Sequence, residues 1–175
     1  MIKSLLFCIF TLFCAVIVES CILSNISFLY VVPDFVLICS VYFSLLNGRT
    51  FGEVTGFAGG MILDFITGIP FGFNSLIRTI IGYIYGFFTE TVLLKGIVIP
   101  MTTVGIATIL KAILITFSTL FFPNISIYNP GLISQQFLFE FIINIILAPV
   151  SFKFLSFFNS SFMISSSQDK VLDVQ

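Results

Sequence analysis

The stretch GRTFGEVTGFAGGMILDFITGIPFGFNSLIRTIIGYIYGFFTE, residues 48–90, decides how this chain folds. Read in steps of four, Gly52, Gly56, Gly60, Asp64 and Gly68 fall on one ridge, and Asn74, Arg78, Gly82, Gly86 and Glu90 on a second. Residues four apart lie one turn above each other on the same helix face. Seven of the twelve glycines lie between Gly48 and Gly72. In a water-soluble helix each interior glycine would cost ~1 kcal/mol relative to alanine. In lipid, small residues let two helix backbones approach closely. The stretch therefore predicts a tight membrane hairpin in which Gly52, Gly56, Gly60, Gly82 and Gly86 line the helix contact, with the remaining helices packed around it. Leucine at Gly60 should break that contact, and alanine there should be mild.

The composition sets the same scene. Of 175 residues, 58% are apolar and 9% charged, against roughly 25% charged in a soluble domain. A net charge of −1 without a basic run argues against nucleic-acid binding. There is no histidine, and Cys8, Cys14, Cys21 and Cys39 form no C-x-x-C pair, so a zinc site has no credible ligands. The cysteines read as small buried hydrophobes. No G-x-S-x-G, phosphate loop or two-carboxylate metal motif is present. The sequence thus predicts no catalytic residues, no metal and no cofactor.

Working outward from the hairpin, apolar segments fall at about 4–23, 33–46, 51–67, 73–94, 99–122 and 132–150. Six spans of ~20 residues nearly fill the chain. The expected fold is an all-α integral membrane protein, with a six-transmembrane-helix bundle over 1–158. A polar tail at 159–175 is expected to be disordered. Pro33-Asp34 opens the second span, where proline suits a first helical turn and a carboxylate suits the positive end of the helix dipole. Gly68-Ile69-Pro70-Phe71-Gly72 is turn chemistry. Pro149 should bend or end the sixth span. With the N-terminus in the cytoplasm, Lys3, Arg49, Lys95, Lys153 and Lys170 all lie inside. The opposite loops, 24–32, 68–72 and 123–131, hold no Lys or Arg, and this bias predicts that both termini are cytoplasmic.

Charges inside spans are costly and usually face protein or water. The candidates are Glu19, Asp64, Arg78, Glu90, Lys111 and Glu140. Asp64 and Arg78 flank the turn at similar depth and are expected to pair across the hairpin. At ~1.5 Å per residue, Lys111 sits roughly 17 Å from the inner end of the fifth span and Glu140 roughly 12 Å below the outer end of the sixth. Their depths match, so Lys111 and Glu140 are expected to form a buried ion pair. Paired charges hold helices in register; a chain of carboxylates could instead relay protons.

Pro33-Asp34 at a helix start, the glycine run Gly56 to Gly60 leading to Leu63-Asp64, and Gly68-Ile69-Pro70-Phe71-Gly72 together resemble the rod shape-determining protein MreD family. Asn144 to Pro149, including Ala148, resembles that family's closing stretch. Where the family often has Arg-Gly between the second and third spans, this chain reads Asn47-Gly48-Arg49. The resemblance implies a non-enzymatic, multi-pass component of the bacterial cytoplasmic (inner) membrane that serves cell elongation and peptidoglycan synthesis. It implies partners in membrane-anchored MreC, actin-like MreB and the peptidoglycan polymerase and transpeptidase. It also implies a fold similar to the substrate-binding subunits of energy-coupling-factor vitamin transporters, whose ligand-binding role is the alternative function.

Overall fold

The computed structural model describes residues 2–23, 32–89, 91, 96–121 and 134–163. The loop residues 24–31 and 123–131, Glu90, Lys95 and the tail 164–175 lie outside the described residues, and so do the expectations placed on them. The elements are α1 (Ile2–Ile17), continued by a π-helical stretch (Val18–Leu23), α2 (Phe35–Asn47), α3 (Arg49–Thr67), α4 (Phe73–Gly86), α5 (Val98–Phe121), α6 (Gln135–Ser156) and the short α7 (Asn159–Phe162). No strand occurs among the described residues.

The chain is an all-α membrane protein. Three helical stretches, Ile2–Ser20, Val98–Thr119 and Gln135–Ser156, are long and apolar enough to cross a membrane. The other three expected segments form helices that do not meet that standard of length and apolarity. The 13 residues of α2 and 14 of α4 rise only about 20 Å, short of the ~30 Å hydrocarbon core. The glycines, threonines and charges of α3 dilute its apolarity. The expected fourth span to residue 94 stops as a helix at Gly86. Pro149 neither ends α6 nor stops it short, and the helix runs on to Ser156; membrane helices accommodate proline when neighbouring groups satisfy the freed carbonyl.

The centre of the bundle is α2, not the glycine hairpin. Every residue from Val36 to Leu46 is buried. A continuous apolar run with only the small hydroxyls Ser40 and Ser44 suits a helix enclosed on all sides. Its start is capped by Asp34, whose Oδ1 accepts from the Leu37 N–H at 2.7 Å. Its end is set by Gly48, at φ 93°, where a side chain would be strained. Around it, α1 turns Cys8, Leu12 and Val16 inward and Leu6, Phe10, Phe13 and Ile17 outward. The exposed faces of α3 to α6 are likewise apolar, with Phe57, Phe65, Leu76, Ile106, Ile113, Phe117, Ile142 and Ile146 outermost.

Within the α3–α4 hairpin the two backbones touch. A Cβ on Gly52 would come within 2.9 Å of the Gly82 carbonyl carbon, and one on Gly56 within 2.8 Å of that of Arg78. A Cβ on Gly60 would lie 2.5 Å from Ser75 N, one on Gly82 2.6 Å from the Gly52 carbonyl carbon, and one on Gly86 2.5 Å from Arg49 N. Because these obstacles are main chain, alanine at Gly60 is not the mild change that the sequence predicts.

The chain after α6 also differs from expectation. Instead of starting a disordered tail, Asn159–Phe162 is helical and Phe162 is buried. Its ring meets Phe43 at 4.8 Å and Phe7 at 5.2 Å. Asn47 donates to the Phe162 carbonyl and Ser4 to that of Met163. Tyr42 is bonded to Asn159.

Candidate functional site

The site is built on the first turn of α2. Fixing φ at Pro33 and capping with Asp34 place one carboxylate at the top of the most enclosed helix, and four other helices bring polar groups to it. From α4, Arg78 Nη2 lies 2.9 Å from Asp34 Oδ1. From α5, Lys111 Nζ lies 2.7 Å from Asp34 Oδ2 and 2.5 Å from Glu140 Oε1 of α6. The Asp34 N–H donates to Asn144 Oδ1 on α6 at 2.9 Å, and Asn144 Nδ2 donates to Thr108 Oγ1 on α5 at 3.3 Å. From the π-helical stretch, Glu19 Oε2 accepts from the Val36 N–H at 3.3 Å. Asp34 and Arg78 are both buried, at 4% and 2% exposure.

Charges removed from water are tolerated when they are paired and their remaining hydrogen-bonding capacity is filled. Asp34 meets that condition, with two cations and the Leu37 N–H on its oxygens. Arg78 meets it only in part: its Nε and Nη1 have no hydrogen-bond partner. The cluster therefore works as a polar bolt through α2, α4, α5 and α6. Its Lys111–Glu140 edge is the least enclosed, with about a sixth of the Lys111 side chain and a fifth of the Glu140 side chain exposed.

Several residues picked from the sequence meet here and others do not. Lys111 stands against Glu140, and Pro33-Asp34 meets Asn144. Asp64 does not pair with Arg78. The arginine turns to Asp34, and Asp64 instead accepts from the backbone N–H groups of Gly72 at 3.0 Å, Asn74 at 3.0 Å and Ser75 at 3.4 Å, and from Asn74 Nδ2 at 2.9 Å. The physical reason is local. Gly68 and Gly72 take left-handed backbone at φ 70° and 93°, which folds the free N–H groups at the start of α4 back onto the Asp64 carboxylate. Pro70 lies in this turn. Ala148 is buried one turn beyond Asn144, and Pro149 is half-buried.

In the sequence Asp34 reads only as a helix start, and the structure brings two cations to it. The available signal was an aspartate heading an unbroken apolar run while a lone arginine and a lone lysine sat inside other spans. Asn144 was singled out only through the resemblance, and its carboxamide joins the α2 cap to Thr108.

A family model described as rod shape-determining protein MreD matches residues 1–158 of this chain. No curated protein and no solved structure matches it.

Proposed function

We propose that this chain, which belongs to the rod shape-determining protein MreD family, is a non-catalytic membrane scaffold of the cell-elongation machinery. The family determines rod shape, and the observation that carries the finer reading is the bolted core. Arg78 of α4 and Lys111 of α5 converge on one buried aspartate, Asp34, and Glu140 of α6 joins through Lys111, which fixes the relative positions of four helices. A bundle held in this way offers other membrane helices a surface of constant shape, and intramembrane recognition depends on such close packing.

In this reading the chain is one domain over 1–158 that crosses the bacterial inner membrane six times with both termini in the cytoplasm. The loop-charge bias favours it. So does the meeting of Ser4, Asn47 and the chain after α6 at one end of the bundle. Because α2 and α4 are short, they cross with the help of flanking residues and local thinning of the bilayer. The partner is a membrane-anchored protein of the MreC type, through which MreB and the peptidoglycan polymerase and transpeptidase are engaged. The Gly52, Gly56, Gly60, Gly82 and Gly86 contact and the Asp34–Arg78 and Lys111–Glu140 pairs serve rigidity.

Depletion of the protein should round or swell the cells, and crosslinkers placed in its spans should capture the MreC-type partner. An impermeant thiol reagent applied to spheroplasts should label a Ser126→Cys variant and spare a Ser166→Cys variant. The reverse labelling would invert the orientation. Unchanged cell shape on depletion, together with tight binding of a vitamin and co-purification with transporter ATPases, would refute the scaffold reading.

A further inference from the structure

The charge cluster does not balance. Its acids are Glu19, Asp34 and Glu140, and its bases are Arg78 and Lys111. The ion pairs among the described residues join Asp34 to Arg78, Asp34 to Lys111 and Lys111 to Glu140, and Glu19 takes part in none. Glu19 is nonetheless enclosed for most of its surface and interacts electrostatically with Asp34, Arg78 and Lys111. A lone carboxylate in a low-dielectric interior is neutralised by taking up a positive charge.

We propose that Glu19 makes this cluster a binding site for one proton, and that loss of the proton moves the Glu19 carboxylate from the Val36 N–H to Arg78. Three independent features support this. The cluster carries one acid more than it has cations to pair. Arg78, 2% exposed, keeps Nε and Nη1 without a hydrogen-bond partner, which is an edge suited to a carboxylate. Glu19 sits in a π-helical stretch, Val18–Leu23, an irregularity that recurs at functional sites.

The proton enters from bulk water and forms the O–H bond of a neutral carboxyl, and its release restores the carboxylate. In the neutral state Glu19 still accepts from Val36. In the charged state it needs Arg78. The groups around it are Asp34 and Cys39 of α2, Arg78 of α4 and Lys111 of α5, with Glu140 of α6 on Lys111. Among the described residues no three His, Cys, Asp or Glu side chains are grouped as metal ligands would be.

The test is thermal unfolding of the purified full-length chain in detergent from about pH 5 to about pH 9 at fixed salt. The folded chain holds a proton that the unfolded chain has released over this range, so stability falls as pH rises. The wild-type midpoint should drop by roughly 3 °C or more, and Glu19→Gln should abolish that slope. An infrared spectrum at neutral pH should show a protonated-carboxyl C=O band that is lost in Glu19→Gln. Should the glutamine variant fail to fold, Glu19→Asp, which keeps the acid, should show the band displaced. Equal slopes in wild type and Glu19→Gln, absence of the band, or a midpoint that follows sodium or potassium concentration at constant pH would overturn the proposal.

Discussion

Replacing Gly56 by alanine adds one methyl group, and the structure says where it would go. The new Cβ would lie 2.8 Å from the Arg78 carbonyl carbon and 3.2 Å from Thr79 N. Ordinary contact begins near 3.4 Å and the Arg78 carbonyl oxygen stands nearer than its carbon, so α3 and α4 must part by roughly 1 Å along a ridge where no side chain can yield. Overpacking of this kind costs ~1–3 kcal/mol, and a backbone obstacle belongs at the upper end. Alanine's helix preference offsets ~1 kcal/mol. The net loss is about 2 kcal/mol, or roughly 4–8 °C in the unfolding midpoint of a chain this size. The matched control is Gly59→Ala, whose Cβ would meet the methyl groups of Val36 at 3.1 Å and Leu12 at 3.3 Å. Those side chains can adjust, so Gly59→Ala should lie within about 1 kcal/mol of wild type. The assay is thermal unfolding of both purified variants in one detergent. A Gly56→Ala midpoint at or above wild type, or equal losses at the two sites, would refute backbone-to-backbone packing.

Asp34→Asn keeps a capping oxygen but leaves Arg78 as a buried cation without its carboxylate, and should cost ~3–5 kcal/mol, read as loss of folded protein in size-exclusion chromatography. Lys111→Met and Glu140→Gln should each lower the folded amount, and the exchange Lys111→Glu with Glu140→Lys should recover only part of it, because Asp34 also needs the lysine; full recovery would show that Asp34 makes no use of it. Asp64→Ala removes the acceptor for three backbone N–H groups and should cost about 2–3 kcal/mol, with protease cleavage near residues 68–72 as its signature; an uncut chain would mean that the glycine turn holds itself.

The hairpin was legible in the sequence because its signal is steric and local. A glycine every fourth residue on two consecutive helices has few explanations other than contact. Lys111 and Glu140 were legible through depth, which needs only residue counting. The Asp34–Arg78 pair was not, because depth says nothing about azimuth. Asp64 and Asp34 both offered a carboxylate to Arg78, and the choice depended on the turn geometry at Gly68 and Gly72, which occupies Asp64 first. The central place of α2 was also hidden. A helix apolar on every side is the expected pattern for a membrane span facing lipid as well as for one facing protein, and only packing tells them apart. The residues after α6 misled for a similar reason: Asn159, Ser160 and Ser161 read as tail, and Phe162 alone carries the burial.

The hydrogen bond from Ser4 to Met163 joins residues 159 positions apart. During synthesis at ~5–20 residues per second, the ribosome needs about 8–30 s to travel between them. Throughout that interval α1 can already meet α2, but Phe7 lacks the Phe162 ring that later packs on it. The bundle is thus closed last at the place where its chain began, and a ribosome that stalls before Phe162 leaves the first helix held by α2 and α3 but without its final clasp.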